Sequence, residues 1–227
     1  MKLKNSITTR VIAFGEWLFR QRSWTPIPFM LFLVLLSFRE SRDIVTWAPG
    51  LLLLAVGEGL RLWGVAVVGK ESRTRGGGVG RLITSGPYAY VRNPLYVGNF
   101  LLTLGATCIS ELLWMIPVVI LLFVAQYVPI ALWEERVLRR QFGAAYATYC
   151  QRVPRWFPRW RRQRPSGSTA PSYQWRAALW SERSTFGTLA LLLVLMIAKE
   201  NLRHLPKYFH KHFMSSARVG ECLEGGG

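Results

Sequence analysis

Five apolar blocks constrain what this chain can fold into more than any other feature of its sequence. Two of them, residues 47–69 and 112–133, reach the roughly 20 residues that an α-helix needs to cross the hydrocarbon layer of a bilayer. Three shorter blocks, at residues 24–38, 94–109 and 185–198, require flanking residues to complete a span. The blocks therefore predict an all-α, polytopic membrane protein with four to five transmembrane helices.

The charge of the chain allows a second class of protein, which the arrangement of residues excludes. The 227 residues include 29 Lys and Arg against 12 Asp and Glu, and the formal net charge is +17. Such a balance is typical of nucleic-acid binders or of membrane proteins with basic loops. Because the apolar residues form long blocks, we expect membrane lipids and no nucleic acid as partners. The three cysteines, Cys108, Cys150 and Cys222, lack metal-ligand spacing, and no metal site is predicted.

Basic residues between the blocks predict an orientation in the membrane. Lys and Arg number five in residues 1–23, two in 39–46, five in 70–93, none around 110–111 and eleven in 134–184. By the positive-inside rule, the N terminus and the segments 70–93 and 134–184 are expected on the cytoplasmic side. Five more basic residues in 199–221 conflict with a fifth crossing. Whether the block at 185–198 spans therefore stays open.

Topology brings two unusual polar segments to that same side. The connection between the blocks at 94–109 and 112–133 is so short that the two helices must form an antiparallel hairpin. The segment 85–98, SGPYAYVRNPLYVG, precedes the hairpin, and 133–160, beginning WEERVLRRQFGAAYATYC, follows it. The second segment has the periodicity of an amphipathic helix on the cytoplasmic membrane surface. Residues 1–22 are likewise expected to form an amphipathic interfacial segment.

The segment 85–98 has the features of a helix start that faces a ligand. Pro94 suits the first turn of a helix, whose free N–H groups favour an anion. Arg92 could bind a carboxylate through two hydrogen bonds. Gly98 would allow a ligand or a neighbouring helix close to the backbone. Tyrosine and arginine are also common as interfacial anchors, which is the simpler interpretation of each residue taken alone.

Carboxylates supply the other candidate groups. Glu134 and Glu135 follow the end of the apolar block and could bind a cationic or hydroxyl-bearing ligand. The alternative is a solvated helix end, in which Glu135 pairs with Arg139. Glu58 and Arg61 lie three residues apart inside the second block and could pair. They would either line a path for a lipid headgroup or make a structural contact between helices.

Taken together, the two segments resemble the superfamily of isoprenylcysteine carboxyl methyltransferases and phospholipid methyltransferases. The resemblance rests on GPYAYVRNPLYVG, residues 86–98, and EERVLRRQFGAAYATYCQRVPRWFP, residues 134–158. It implies an integral membrane enzyme that transfers a methyl group from S-adenosylmethionine to a lipophilic acceptor, such as an isoprenylcysteine carboxylate or a lipid-linked amine. The implied cofactor residues are Gly86, Pro87, Tyr88, Arg92, Asn93, Pro94, Tyr96, Gly98, Glu134, Glu135 and Tyr146.

The resemblance also suggests roles in catalysis and acceptor binding. Arg152, Tyr149 and Glu135 are the catalytic candidates, and Glu58, Arg61 and Arg155 are the candidates for binding the acceptor. The superfamily commonly has His where this chain has Asn93, and an asparagine cannot accept a proton as a general base. This departure favours a carboxylate acceptor, which needs no deprotonation, although Glu135 or a tyrosine could serve as the base.

Two other functions remain open at this point. A membrane sterol or enone reductase that uses NADPH has related segments, and Tyr149-Cys150 is similar to part of one of them. A catalytically silent membrane scaffold of the same fold is the other. We expect a methyltransferase domain over residues 1–164, composed of the interfacial segment and first two spans (1–69) and the cofactor-binding hairpin, loops and tail (70–164). Residues 165–222 would be a C-terminal extension that carries the fifth block, and 223–227 a cloning tail.

Overall fold

The computed structural model describes residues 2–22, 26–36, 44–69, 81–158 and 173–198. Within these ranges the chain is helical and contains no strand, which confirms the all-α prediction. The helices are α1 (Lys2–Gln21), α2 (Pro26–Leu36), α3 (Ile44–Val68), α4 (Pro94–Ile109), α5 (Ile116–Arg152) and α6 (Trp175–Ala198). The basic segment 199–221, the cysteine at 222 and the tail 223–227 lie outside the described residues.

Three of the described helices are long and apolar enough to cross a membrane: α3, α5 with the turn that precedes it, and α6. The helix α4 has 16 residues and α2 has 11, so both are shorter than a complete span. The sixth helix begins ten residues before the predicted fifth block, and at 24 residues it is long enough to span. The residues that flank the short apolar block thus complete a helix of spanning length, as expected from the length of the block.

The densest helix pair of the described chain is α3 against α4, and glycines bring the two backbones together. A Cβ atom added to Gly57 would lie 2.9 Å from the carbonyl oxygen of Gly98, and one added to Gly105 would lie 2.7 Å from that of Gly50. These glycines recur every seven residues, so they lie on one face of each helix. Any larger side chain at these positions would push the helices apart.

The predicted hairpin of α4 and α5 is confirmed. A connection of six residues, 110–115, joins the two helices. The rings of Phe100 and Phe123 lie 4.6 Å apart, and those of Tyr96 and Tyr127 lie 4.9 Å apart. Moving four residues back in α4 thus corresponds to moving four forward in α5, which is the register of an antiparallel pair.

The helix α1 packs along α5 instead of presenting one apolar face to the bilayer. Leu18 and Phe19 are buried, and the ring of Phe19 lies 4.7 Å from that of Trp133. The predicted interfacial face is therefore divided between two sides of the helix, because Phe14 and Trp17 stack on each other and remain half exposed. The contact with α5 determines which residues of α1 are buried.

The predicted amphipathic helix is the final part of α5. Gly143 interrupts this helix with φ 51° and ψ −121°, a backbone conformation that glycine adopts without strain. Beyond the interruption, Tyr146, Tyr149 and Val153 form a buried cluster against which Leu82 and Phe142 pack. The end of α5 therefore covers the segment before α4.

The sixth helix is part of the same core as the other helices. Its Ala178 is fully buried against Val65 and Ala66 of α3. Its far end joins the apolar cluster that α2, α3 and α4 build with the turn before α5, which contains Leu33, Leu54, Leu102, Ala106, Ile109, Met115, Leu192 and Met196. The helix α6 thus packs against the other helices near both of its ends.

Candidate functional site

The segment before α4 is held in shape by a tight turn. Gly86 has φ +60°, and a Cβ atom there would lie 2.6 Å from Val67, so the position requires glycine for two reasons. The carbonyl oxygen of Pro87 accepts hydrogen bonds from the N–H groups of Tyr90 and Val91. Pro94 then begins α4, as its sequence context predicted. This compact loop fixes where the side chains of residues 88–93 lie.

Three hydrogen bonds join this loop to the end of α5, which confirms that the two segments converge. The Arg92 N–H donates to the carbonyl oxygen of Pro154 at 2.8 Å, and the Asn93 side-chain amide donates to that of Arg155 at 3.2 Å. The Tyr149 hydroxyl donates to the carbonyl oxygen of Tyr88 at 2.8 Å. We refer to the end of the bundle where these segments meet as the motif end.

A charge cluster of Arg92, Glu135 and Arg155 lies at the centre of the motif end. Glu135 accepts from Nη1 of Arg92 at 2.9 Å and from Nε and Nη2 of Arg155 at 2.7 and 2.8 Å. The side chain of Glu135 is 7% exposed, whereas that of Arg155 is 31% exposed. The alternative pairing of Glu135 with Arg139 is therefore wrong. Two guanidinium groups share one carboxylate, and the cluster has a net positive charge.

The electrostatics of the cluster follow from these contacts. The hydrogen bonds that Arg155 donates to Glu135 raise the pKa of Arg155 above its ordinary value, so Arg155 stays charged. Nη1 of Arg92 also donates to Sγ of Cys150 at 3.1 Å, whereas its buried Nε has no hydrogen-bond partner. Burial, and then the charge of Glu134, raise the pKa of Tyr88 above its ordinary range. The site is thus a cationic cluster surrounded by neutral phenols.

The other predicted residues of the motif end divide into two groups. Tyr146 is 2% exposed and interacts with Cys150, and the hydroxyl of Tyr96 interacts with the carboxylate of Glu134. These side chains lie in the same region as the charge cluster. Arg152, by contrast, has an exposed side chain on the last turn of α5. It is the catalytic candidate that the fold leaves at the surface.

Gly98 faces a neighbouring helix. A Cβ atom there would lie 2.5 Å from Cγ of Arg61 and 2.8 Å from the carbonyl oxygen of Gly57. The close approach that the sequence predicted is therefore made by α3. The space beside Gly98 holds the side chain of Arg61.

A second charge cluster lies deeper in the bundle, where α3 meets α4 and α6. The predicted pairing of Glu58 with Arg61 is confirmed at 3.3 Å. Nη2 of Arg61 also pairs with Glu182 of α6, and Nη1 donates to Oδ1 of Asn99. Here two carboxylates share one guanidinium group. Both carboxylate side chains are more than nine-tenths buried and that of Arg61 is 15% exposed; we refer to this group as the closed charge cluster.

Sequence reasoning missed Glu182, Asn99, Tyr127 and Cys150 as members of these clusters. An acidic residue within an apolar helix normally has a partner, and this signal could have identified Glu182 once α6 was extended to Trp175. Asn99 and Tyr127 are single polar residues in apolar blocks, and nothing in their spacing indicates that they face each other. Cys150 lies two residues before Arg152 in a recognised segment, but its contact with Arg92 depends on the tertiary fold.

Comparison with known families confirms the resemblance found in the two segments. The family model described as phospholipid methyltransferase matches residues 45–145. Residues 45–145 are therefore similar to the phospholipid methyltransferase family. The match begins at the start of α3 and ends near the break in α5, so it contains the hairpin, Arg92 and Glu135. Together with the three helices that are long and apolar enough to span, the match supports an integral membrane protein that is similar to this family.

Two curated relatives are similar to this chain. The cobalt-zinc-cadmium resistance protein CzcN of Cupriavidus metallidurans is 37% identical over 131 residues, which cover 55% of this chain and 57% of that protein. The nickel-cobalt-cadmium resistance protein NccN of Alcaligenes xylosoxydans xylosoxydans is 31% identical over 99 residues, 44% of this chain and 43% of that protein. The chain thus spans about half the length of the curated relatives it matches. No solved structure matches it.

Proposed function

We propose that this protein is an S-adenosylmethionine-dependent methyltransferase that acts in the membrane on a lipophilic acceptor. The observation that carries the proposal is the cluster of Arg92, Glu135 and Arg155, which ties the loop before α4 to the end of α5. These are the two segments that resemble the superfamily, and the family match over residues 45–145 supports the same class of chemistry.

The residues of the motif end fit the charge of the cofactor. S-adenosylmethionine carries a carboxylate, and it supplies a sulfonium methyl group as the group to be transferred. The net positive charge of the cluster and the unpartnered Nε of Arg92 suit that carboxylate. The glutamates suit its ammonium and ribose hydroxyl groups. Gly86, Pro87, Tyr88, Asn93, Pro94 and Tyr96 would form one wall of the site, and Glu134, Glu135 and Tyr146 the other, whereas the space beside Gly98 is filled by Arg61.

The chain would act by positioning its substrates and excluding water. The buried phenols of Tyr146 and Tyr149 would cover the reacting groups, since both lie on the final part of α5, where the Tyr149 hydroxyl binds the loop before α4. Asn93 donates its amide hydrogen bond to the carbonyl oxygen of Arg155, and it cannot act as a base. An acceptor that is already ionised, such as the carboxylate of an isoprenylcysteine, would need no base at this position.

The anionic acceptor would be held by Arg155 or Arg152. Arg155 faces the charge cluster, whereas Arg152 is exposed at the end of the helix. Glu58 and Arg61 belong to the closed cluster, so a role in acceptor binding would require that cluster to open. The N terminus and the motif end would face the cytoplasm, where the cofactor is available.

The names of the two relatives associate them with resistance to cobalt, zinc, nickel and cadmium. In the parts of this chain that the structure describes, no three His, Cys, Asp or Glu side chains form a group that could hold a metal ion. We therefore assign the chemistry of the motif end to a methyl donor and propose no metal site on the basis of those names.

Calorimetry with the detergent-purified protein tests the proposal. We expect S-adenosylmethionine and S-adenosylhomocysteine to bind and NADPH not to bind. Glu135→Ala should abolish binding, and Glu135→Gln, which keeps the side-chain volume, should weaken it. Glu16→Gln is the matched control, because Glu16 pairs with Arg20 on the exposed side of α1.

Each other result contradicts the proposal in a different way. Binding of NADPH alone would favour a membrane reductase. Binding of none of the three ligands by the wild-type protein would favour a silent scaffold. Equal binding by the wild-type protein and both Glu135 variants would remove the charge cluster from the cofactor site.

A further inference from the structure

The closed charge cluster connects α6 to the other helices through one side chain. Arg61 extends from α3 and forms hydrogen bonds with Asn99 of α4 and with Glu182 and Thr185 of α6. Its aliphatic part passes beside Gly98, where a Cβ atom would collide with it. The position of Arg61 is therefore fixed by α4 on one side and by α6 on the other.

The contacts continue from Arg61 toward the motif end. The side-chain amide of Asn99 donates to the hydroxyl of Tyr127 in α5 at 3.1 Å. The ring of Tyr127 packs on that of Tyr96, with the centroids 4.9 Å apart. The hydroxyl of Tyr96 in turn interacts with the carboxylate of Glu134. A chain of direct contacts thus runs from Glu182 to Tyr96, a residue of the predicted cofactor wall.

Glu182 is the outer end of this chain, and its surroundings make it a strong constraint. Its side chain is 3% exposed, and it bonds both Arg61 and the hydroxyl of Thr185. A buried carboxylate that loses its partner is costly, so the pair with Arg61 keeps both side chains in one arrangement. Loss of the charge on Glu182 would leave Arg61 free to turn toward Glu58, which it already approaches to 3.3 Å.

We propose that Glu182 and Arg61 are positioning residues for the cofactor site, and that they act through Asn99 and Tyr127 on Tyr96 and Glu134. This inference rests on the proposed function and deepens it, because it makes α6 part of the functional unit although α6 lies outside residues 45–145. Arg61 binds Asn99, Asn99 binds the Tyr127 hydroxyl, and the ring of Tyr127 packs on that of Tyr96, whose hydroxyl interacts with Glu134.

The test is a double-mutant cycle on cofactor affinity in the full chain. Glu182→Gln removes the charge with little change in volume, and Tyr127→Phe removes the hydroxyl but keeps the ring on Tyr96. Each variant should weaken binding of S-adenosylmethionine roughly two- to thirtyfold, the range of coupling through packed networks. The double variant should lose no more than the larger single effect, since both changes break the same chain of contacts.

A temperature condition, a control variant and a kinetic comparison separate positioning from general destabilisation. The affinities are measured at least 15 °C below the lowest Tm, so that all variants are folded. Glu16→Gln should leave the affinity unchanged. In turnover assays with S-adenosylmethionine as the varied substrate, KM should rise more than kcat falls, because the cofactor wall is displaced and the reacting groups are not.

The outcomes distinguish this inference from the proposed function. If the wild-type protein binds no S-adenosylmethionine, the proposed function fails and this inference fails with it. If the wild-type protein binds it and Glu182→Gln binds equally well, only the inference is overturned. Effects of the two single variants that add fully would also overturn it, because they would show two independent routes to the site.

Discussion

Replacing Gly57 with alanine should push α3 away from α4, and the packing around Gly57 indicates how much stability this costs. The added Cβ atom would lie 2.9 Å from the carbonyl oxygen of Gly98, 3.0 Å from Cβ of Leu101 and 3.0 Å from the backbone nitrogen of Leu102. Two of these three atoms belong to the backbone and cannot turn away. Overpacking of this kind typically costs about 1–3 kcal/mol.

A matched control lies two residues along the same helix. Gly59 has no atom within 4 Å of an added Cβ, so Gly59→Ala adds the same methyl group without a clash. Both substitutions gain about 0.5–1 kcal/mol from the greater helix propensity of alanine. The difference between the two variants therefore isolates the overpacking energy, about 1–3 kcal/mol.

Thermal unfolding in detergent measures this difference. For a chain of this size, 1 kcal/mol changes the Tm by about 2–4 °C. We expect Gly59→Ala to unfold slightly above the wild-type protein, and Gly57→Ala to unfold roughly 2–12 °C below Gly59→Ala. Equal Tm values for the two variants would refute the close contact of α3 and α4, on which the position of the motif end depends.

Two further predictions concern the stability of the motif end. Glu135→Gln leaves the guanidinium groups of Arg92 and Arg155 without their shared carboxylate. We expect the free energy of unfolding to fall by about 2–4 kcal/mol, which is below the usual range for a fully buried pair because Arg155 is partly exposed. An unchanged Tm would show that solvent compensates both charges. Tyr149→Phe removes the hydrogen bond to the Tyr88 carbonyl oxygen and should cost about 1–3 kcal/mol, with a Tm equal to that of the wild-type protein as the contradicting result.

The sequence predicted the helices well where apolarity alone defined them, and less well where packing did. The span from Ile44 to Val68 and the hairpin after Pro94 follow directly from block length and from the short connection. The burial of α1 could not be predicted, because Leu18 and Trp17 have similar hydrophobicity and only the position of α5 separates them. Gly143 could not be recognised as a helix break, since a single glycine in a helical pattern is often tolerated.

The candidate site shows the same limit in its electrostatics. Sequence spacing reveals only pairs three or four residues apart, such as Glu58 with Arg61. The partners of Glu135 are 43 and 20 residues away, and the partner of Arg61 in α6 is 121 residues away. A buried charge must be compensated, so each of these glutamates and arginines could be expected to have a partner.

Which partner each charge has is determined by the fold, and the pairing decides what each cluster can do. Glu135 with Arg92 and Arg155 leaves a positive charge at the motif end, where Arg155 is partly exposed. Arg61 with Glu58 and Glu182 leaves a negative charge on two carboxylates that are more than nine-tenths buried. The first arrangement can receive an anion, whereas the second can only hold helices in place. The two clusters thus have different roles, binding at the motif end and positioning deeper in the bundle. Both roles depend on charge partners that are distant in sequence.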